Sequence, residues 1–174
     1  MNAQQLQALI RDVPDFPKPG IVFKDITPLL RSAEGLESTC ALLADPYRDQ
    51  GVTVVAGIES RGFIFGSVVA RNLNAGFIPI RKPGKLPWTT RRHEYVLEYG
   101  SDALEIHDDA LHPEDRVLII DDVLATGGTL VAAMHLVRGF AATLVGTATV
   151  IELTFLDGRA KLLEGAAFHS VIRY

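Results

Sequence analysis

The sequence of 174 residues has a single cysteine, Cys40, and no long apolar run. One thiol excludes an intramolecular disulfide framework and a multi-cysteine zinc site, and its place on the apolar stripe of a predicted helix indicates a core residue. No apolar stretch reaches the roughly 20 residues that a helix needs to cross a bilayer. The first residues lack the basic and apolar regions of a secretory signal. We therefore expect a soluble cytoplasmic protein with no membrane partner.

Basic residues are outnumbered by acidic ones. Lysine and arginine number 17 against 21 aspartates and glutamates, which gives a net charge of −4. A nucleic-acid-binding protein is usually basic, so we expect no nucleic-acid partner. The composition is ordinary for a globular protein, and without repeats or low-complexity tracts it predicts one domain over residues 1–174.

Strand-like and helix-like segments alternate along the chain. Strands are predicted at residues 52–57, 77–80, 116–120, 142–153 and 168–172, and helices at 2–11, 36–49, 65–73 and 130–137. A hairpin is predicted at 95–107, with its turn at 100–102. This alternation predicts an α/β fold with a doubly wound, mainly parallel sheet flanked by helices. Ligands of such sheets bind beyond the carboxyl ends of the strands.

Residues 117–129 carry the most informative pattern. An apolar strand ends in two adjacent carboxylates, Asp121 and Asp122, and a loop of small residues then opens a helix. Gly127 and Gly128 expose backbone N–H groups without a Cβ in the way, and such groups at a helix start bind phosphate. The loop lacks the lysine of a Walker A motif and the third glycine of a dinucleotide fingerprint. It therefore predicts a site for a terminal monophosphate, with the carboxylates accepting hydrogen bonds from ribose hydroxyls.

Two other segments have features of an anion-binding site. Arg81, Lys82 and Lys85 lie among prolines and glycine, and such a cluster in an acidic chain indicates an anion site. A nucleic-acid site is the other interpretation of this cluster, but it lacks interleaved aromatic residues. Residues 59–62 follow a predicted strand and precede a helix, so they form a second loop at the same sheet edge.

The segment at 117–129 resembles the phosphoribosyl-diphosphate (PRPP) binding motif of type I phosphoribosyltransferases. Four more segments are similar, in the same order along the chain, to the adenine phosphoribosyltransferases of that family: residues 15–30, 57–63, 81–87 and 97–100. The resemblance implies transfer of the phosphoribosyl group from PRPP to adenine, which gives AMP and pyrophosphate. It also implies a need for Mg²⁺, held mainly by the substrate and by no direct protein ligand.

The resemblance further implies an architecture. The type I phosphoribosyltransferase fold would carry a small base-binding hood, approximately residues 1–35, and a mobile catalytic loop with its return strand at residues 81–99. Two copies would form a homodimer in which the loop lends basic residues to the partner's site. Closure of the loop would exclude water from the activated ribose.

Roles for individual residues follow from the same resemblance. The phosphate and ribose would be bound by Asp121, Asp122, Ala125, Thr126, Gly127, Gly128 and Thr129. The pyrophosphate would be bound by Glu59, Ser60, Arg61, Arg81, Lys82 and Lys85. Adenine would be held by Ile21, Val22, Phe23 and Lys24. Glu98 would be catalytic as the general base on the purine imidazole nitrogen, Arg61 would assist the leaving group, and Tyr99 would help to position the loop.

The sequence departs from the family pattern in two places. Lys24 replaces an arginine often found there, which keeps the charge and loses the forked geometry. The loop carries the extra basic residues Arg91 and Arg92, for which assistance in PRPP binding and simple solvation are the two interpretations, with solvation expected. It also carries His93, for which no metal role is expected.

Two alternative functions stay open at this point. A sister phosphoribosyltransferase acting on hypoxanthine, guanine, xanthine or orotate would share the PRPP motif, although residues 19–28 favour adenine. A non-catalytic PRPP-sensing regulator that binds nucleic acid would need a basic face or an additional domain, for which this chain leaves little room.

Overall fold

The computed structural model describes residues 1–97, 100–165 and 167–174. Its main sheet consists of β3 (Val54–Ile58), β4 (Gly76–Ile80), β7 (Arg116–Leu124), β8 (Thr143–Glu152) and β9 (Ala167–Arg173). These strands are all parallel and lie in the order β4-β3-β7-β8-β9. Two antiparallel hairpins join β1 (Arg11–Pro14) to β2 (Val22–Asp25) and β5 (Thr90–Leu97) to β6 (Gly100–His107). The helices are α1 (Ala3–Gln7), α2 (Thr27–Arg31), α3 (Ala33–Ala44), α4 (Gly62–Asn72) and α5 (Gly128–Arg138).

Strand β7 lies at the centre of the sheet and is buried on both faces. Leu118 and Ile120 face the core that packs under α3 and α4, and Val117 and Ile119 face the core under α5 and the β5–β6 hairpin. A strand covered on both sides is apolar along most of its length, which explains the continuous apolar run at residues 117–120. The predicted doubly wound α/β fold is confirmed.

The order of the strands determines where a ligand binds. From β3 the chain crosses through α4 to β4 at one edge, and the later strands β7, β8 and β9 continue on the opposite side of β3. The order thus reverses between β3 and β7. A crevice forms at the carboxyl ends of the strands at such a reversal. Strand β3 leads into Glu59, and β7 runs four residues past the predicted end at residue 120, so that Asp121 and Asp122 lie within its last paired residues rather than after them.

The N-terminal region differs from the sequence prediction. The predicted helix over residues 2–11 ends at Gln7, and residues 11–14 instead pair with residues 22–25 as a hairpin. Such pairing depends on contacts between segments that periodicity does not reveal. Pro14, the last residue of its strand, is compatible with an edge position.

Other predicted boundaries also move. The helix predicted at 36–49 is α3 at Ala33–Ala44, followed by a 3-10 turn at Asp45–Tyr47. Gly100 opens β6 and pairs with Leu97, so residues 100–102 belong to a strand and the predicted turn there is wrong. By contrast, α5 ends at Arg138 with Gly139 as its cap, as predicted. In the described part of the chain, every helix is too short or too polar to cross a membrane.

Cys40 lies in α3 and is fully buried in the core, as predicted. Burial raises the pKa of its thiol to about 12. Because the thiolate is the reactive form, we expect the native protein at pH 8 to react with a disulfide reagent far more slowly than the urea-unfolded protein. Equal rates in a spectrophotometric assay would contradict this packing.

Candidate active site

A cavity of about 290 Å³ opens at the carboxyl ends of β3 and β7. Its walls come from two loops and one side chain of the basic segment: residues 59–61, residues 121–130 and Lys82. The site therefore lies at the reversal of strand order, where the sequence analysis expects a ligand. Each loop leads directly into a helix, α4 or α5.

The loop at Ala125–Thr129 forms one end of the cavity. Gly127 has φ +88° and caps α5, a conformation that glycine adopts without steric cost. Helix α5 begins at the next residue, and its first residues, 128–130, line the cavity. The N–H groups of a helix's first turn have no acceptor within the helix. These groups and the helix dipole make this loop suited to an anion such as a phosphate.

Gly158 packs against this loop, although no local sequence signal identifies it as part of the site. A Cβ at Gly158 would lie 2.1 Å from the carbonyl oxygen of Ala125, and one at Gly127 would lie 2.7 Å from the carbonyl oxygen of Gly158. The two backbones thus touch with no room for side chains. Arg159, the next residue, forms two hydrogen bonds to the buried carboxylate of Glu152, at 2.7 and 2.8 Å, and ties this segment to the end of β8.

The second loop, Glu59–Arg61, lies across the cavity and leads into α4, and its Glu59–Ser60 peptide bond is cis. The start of α4 presses against the end of β7, because a Cβ at Gly62 would lie 2.7 Å from the carbonyl oxygen of Ile120. The Nε of Arg61 pairs with Oδ2 of Asp122 at 2.9 Å. Two helix N-termini and one arginine therefore surround the same cavity.

Asp121 and Asp122 form the floor of the cavity. Burial, reinforced by the adjacent charge of Asp122, raises the pKa of Asp121 well above its usual range. Burial also raises the pKa of Asp122, and the charge of Arg61 opposes that rise. Both carboxylates are acceptors held in a fixed position, as recognition of sugar hydroxyls requires.

The predicted pyrophosphate residues do not all line the cavity. Four of the six line it, namely Glu59, Ser60, Arg61 and Lys82, whereas Arg81 and the exposed Lys85 lie outside its described lining. Arg81 instead donates two hydrogen bonds to Glu59, at 3.1 and 3.2 Å, and the backbone N–H of Lys82 donates a third at 2.9 Å. These bonds, led by those from Arg81, lower the pKa of Glu59 against the effect of its partial burial. The Glu59 carboxylate thus anchors the basic segment.

Three of the predicted base-binding residues, Val22, Phe23 and Lys24, lie in β2, and Ile21 precedes that strand. All four lie outside the described lining of the cavity, but Phe23 contacts Arg61, which belongs to it. The guanidinium carbon of Arg61 lies 5.1 Å from the centre of the Phe23 ring. Lys24, the next residue along the strand, points to the other face, where its ammonium pairs with Asp12 at 2.7 Å and lies 3.9 Å from the Tyr174 ring centre. Lys24 therefore holds the hairpin to the C-terminal strand rather than offering its charge to the cavity.

The remaining loop predictions have mixed outcomes. Glu98 and Tyr99 lie outside the described residues, so their roles stay predictions. Arg91, expected to be solvated, stacks on Phe140 at 3.8 Å and donates to the carbonyl of Gly139 at 2.7 Å, beyond the end of α5. Arg91 is solvent-exposed, as expected, and these two contacts also hold its side chain in place.

Arg92 pairs with Glu94 at 2.9 Å. The His93 ring stacks on that of His135, with ring centres 4.6 Å apart. Arg92 and His93 therefore both have structural contacts, on opposite faces of the β5–β6 hairpin, and His93 lies on the face that packs on α5.

Mg²⁺ prefers oxygen ligands and keeps several waters or substrate oxygens. Within residues 1–97, 100–165 and 167–174, no cluster of three or more His, Cys, Asp or Glu side chains is placed to hold a metal. Asp121 and Asp122 nevertheless supply carboxylate oxygens at the cavity floor. These residues fit an ion that takes most of its ligands from a bound substrate.

Comparison with known proteins assigns this geometry to a class. Residues 29–166 match the family model described as the phosphoribosyl transferase domain. The chain is 52% identical, over the full length of both proteins, to adenine phosphoribosyltransferase of Francisella philomiragia. The crystal structure of adenine phosphoribosyltransferase from Rhodothermus marinus superposes with a TM-score of 0.95 at 50% identity, covering 99% of this chain and 98% of that one.

A more distant relative is similar over nearly the same length. Adenine phosphoribosyltransferase from Saccharomyces cerevisiae, complexed with an imino-altritol bisphosphate and adenine, superposes with a TM-score of 0.91 at 38% identity and covers 97% of both chains. The chain belongs to the adenine phosphoribosyltransferase family. This confirms the resemblance found in the sequence, and the comparisons favour neither a sister enzyme nor a sensor.

The buried carboxylate of Asp121 predicts a pH dependence of stability. Its folded-state pKa is raised, so the free-energy penalty of ionising it is absent below the unfolded-state pKa of roughly 4, grows as the pH rises above that value, and levels off once the pH passes the folded-state pKa. Asp121→Asn cannot ionise. We expect the free energy of unfolding of this variant, relative to the wild type, to increase between pH 3 and pH 7 in urea titrations.

The matched control for this measurement is Asp49→Asn, at an exposed carboxylate. Its stability relative to the wild type is expected to change little over the same interval. If Asp121→Asn follows the wild type in parallel from pH 3 to pH 7, the carboxylate carries no burial penalty and the description of the cavity floor is wrong.

Proposed function

We propose that the protein transfers the phosphoribosyl group of PRPP to adenine. The bond from the anomeric carbon to the pyrophosphate oxygen breaks, and a bond forms from that carbon to a nitrogen of the purine imidazole ring. The nitrogen loses its proton, and AMP and pyrophosphate leave. The observation that carries the proposal is the pair of helix N-termini that flank one cavity, with two carboxylates on the floor between them.

The spacing of the groups suits a donor with phosphate at both ends. The 5-phosphate would bind at Ala125–Thr129, and the ribose hydroxyls would donate to Asp121 and Asp122. The pyrophosphate would lie against Ser60, Arg61 and Lys82. Holding an electrophile by both ends restricts its motion, and such positioning supplies much of the acceleration in bimolecular reactions.

Charge at the second end favours departure of pyrophosphate. Arg61 and Lys82 place two cations next to the developing negative charge, and Mg²⁺ bound to the substrate oxygens would neutralise more of it. Arg61 is held by Asp122, so its guanidinium is oriented before the substrate binds. Arg81 contributes indirectly, since it fixes Glu59 and through it the backbone of Lys82.

Adenine would stack on Phe23, next to Arg61 and therefore next to the donor. The yeast relative was crystallised with adenine, which supports adenine as the acceptor base. Glu98 is proposed as the general base that takes the ring proton, with Tyr99 helping to position the loop. A homodimer, a mobile loop at residues 81–99 and a cytoplasmic location stay predictions.

The direct test supplies PRPP, Mg²⁺ and one base at a time and resolves the products by liquid chromatography. We expect AMP from adenine only, and no AMP when a chelator removes the metal. Turnover of hypoxanthine, guanine, xanthine or orotate in place of adenine would overturn the base assignment. PRPP binding without any product would indicate a sensor.

The role of Glu98 is tested by Glu98→Gln. The amide keeps the size of the side chain but cannot accept the proton, so kcat is expected to fall by about 100-fold or more, within the usual range for general acid–base catalysis. The KM values for PRPP and adenine should change much less. A kcat equal to that of the wild type in the same assay would exclude the general-base role.

A further inference from the structure

The ammonium of Lys82 is held by side chains that belong to neither phosphate-binding loop. Lys82 lines the cavity, and its Nζ donates to the hydroxyl of Tyr95 at 3.2 Å and pairs with the carboxylate of Asp102. Tyr95 is in β5 and Asp102 is its direct partner in β6. A cation at the cavity wall is therefore held by the β5–β6 hairpin, which packs on α5.

The Tyr95 hydroxyl is the centre of this cluster. Besides the contact with Lys82, it donates to Asp102 at 3.1 Å and lies 3.3 Å from the hydroxyl of Thr129. Thr129 is the last residue of the phosphate loop. One phenol oxygen thus connects the cation of the pyrophosphate end to the loop of the 5-phosphate end.

The phenol ring is fixed. Tyr95 is 9% exposed and belongs to the core cluster that includes Leu104 and Leu130. A ring packed on several sides gives its hydroxyl one position, unlike a hydroxyl on a flexible surface chain. Burial alone would lower the pKa of Lys82, but the hydrogen bonds and charges of Asp102 and Tyr95 outweigh it and raise that pKa, so the lysine stays charged.

We propose that Tyr95 is a positioning residue for the PRPP donor: its hydroxyl, with Asp102, holds the Lys82 ammonium beside Thr129 so that both anion sites are set before the donor binds. The inference rests on the proposed function, since it takes PRPP as the ligand. Without the hydroxyl, the Lys82 side chain has more conformations. Binding of PRPP must then order that side chain, and the entropy lost in doing so weakens the affinity. The effect falls on the donor and leaves adenine binding unchanged.

The test is a double-mutant cycle of Tyr95→Phe and Lys82→Met. Tyr95→Phe keeps the ring and removes only the hydroxyl, and it is expected to raise the KM for PRPP by about threefold to tenfold, as for loss of one hydrogen bond. The KM for adenine should not change. In the Lys82→Met background the same substitution should shift the KM for PRPP by less than about twofold, since residues that act through each other are not additive.

The matched control is Tyr47→Phe. Tyr47 is also buried, and its hydroxyl donates to the carbonyl of Thr147 at 2.9 Å, outside the described lining of the cavity. Its loss is expected to lower the melting temperature and leave both KM values unchanged. Three results would overturn the proposal. They are a KM for PRPP that Tyr95→Phe raises equally in the two backgrounds, a KM for PRPP that Tyr95→Phe does not change, and a KM for PRPP that Tyr47→Phe raises as much as Tyr95→Phe does.

The same cycle separates this inference from the proposed function. If the wild type makes no AMP, the proposed function fails. The wild type, the two single variants and the double variant are then compared by calorimetric titration with PRPP and Mg²⁺. The positioning role then predicts weaker PRPP binding by Tyr95→Phe only where Lys82 is present. Equal PRPP affinity in the wild type and Tyr95→Phe would overturn the positioning role whatever the activity.

Discussion

The ion pair between Arg61 and Asp122 is the contact on which the site depends. It joins the loop after β3 to the end of β7, the two strands between which the order of the sheet reverses. Through it the guanidinium is oriented and the carboxylate is partly neutralised in a buried position. Breaking such a pair would leave a buried charge uncompensated, so the pair stabilises the contact between these two segments.

The arrangement has a cost in stability that the surrounding fold offsets. Asp121 and Asp122 are ionisable groups inside a low-polarity floor, and burial disfavours their charged forms. The closest backbone approaches, at Gly62 and at Gly158, also lie around this floor. Buried charges and close backbone–backbone contacts at glycines are thus concentrated at the place where ligand groups must be held rigidly. The two apolar layers on either side of β7 supply the stability that the site itself lacks.

Local sequence signals predicted the parts that depend on neighbouring residues. The apolar run, the two carboxylates and the glycines of residues 117–129 form one strand, one loop and one helix start, so that segment was placed correctly. The contacts that were missed join distant segments: Gly158 against Ala125, and Tyr95 against Lys82 and Thr129. The β1–β2 hairpin was missed for the same reason. Nothing in the local pattern distinguishes these residues, because their roles exist only once the chain has folded.

The most direct test of the account is a crystal structure of the protein with AMP. We expect the phosphate of AMP on the backbone N–H groups of Ala125–Thr129, the ribose hydroxyls on Asp121 and Asp122, and the adenine ring against Phe23. The Arg61 end of the cavity should stay free for pyrophosphate. A phosphate bound at Arg61 and Lys82, with the loop at 125–129 empty, would contradict the assignment of the two anion sites.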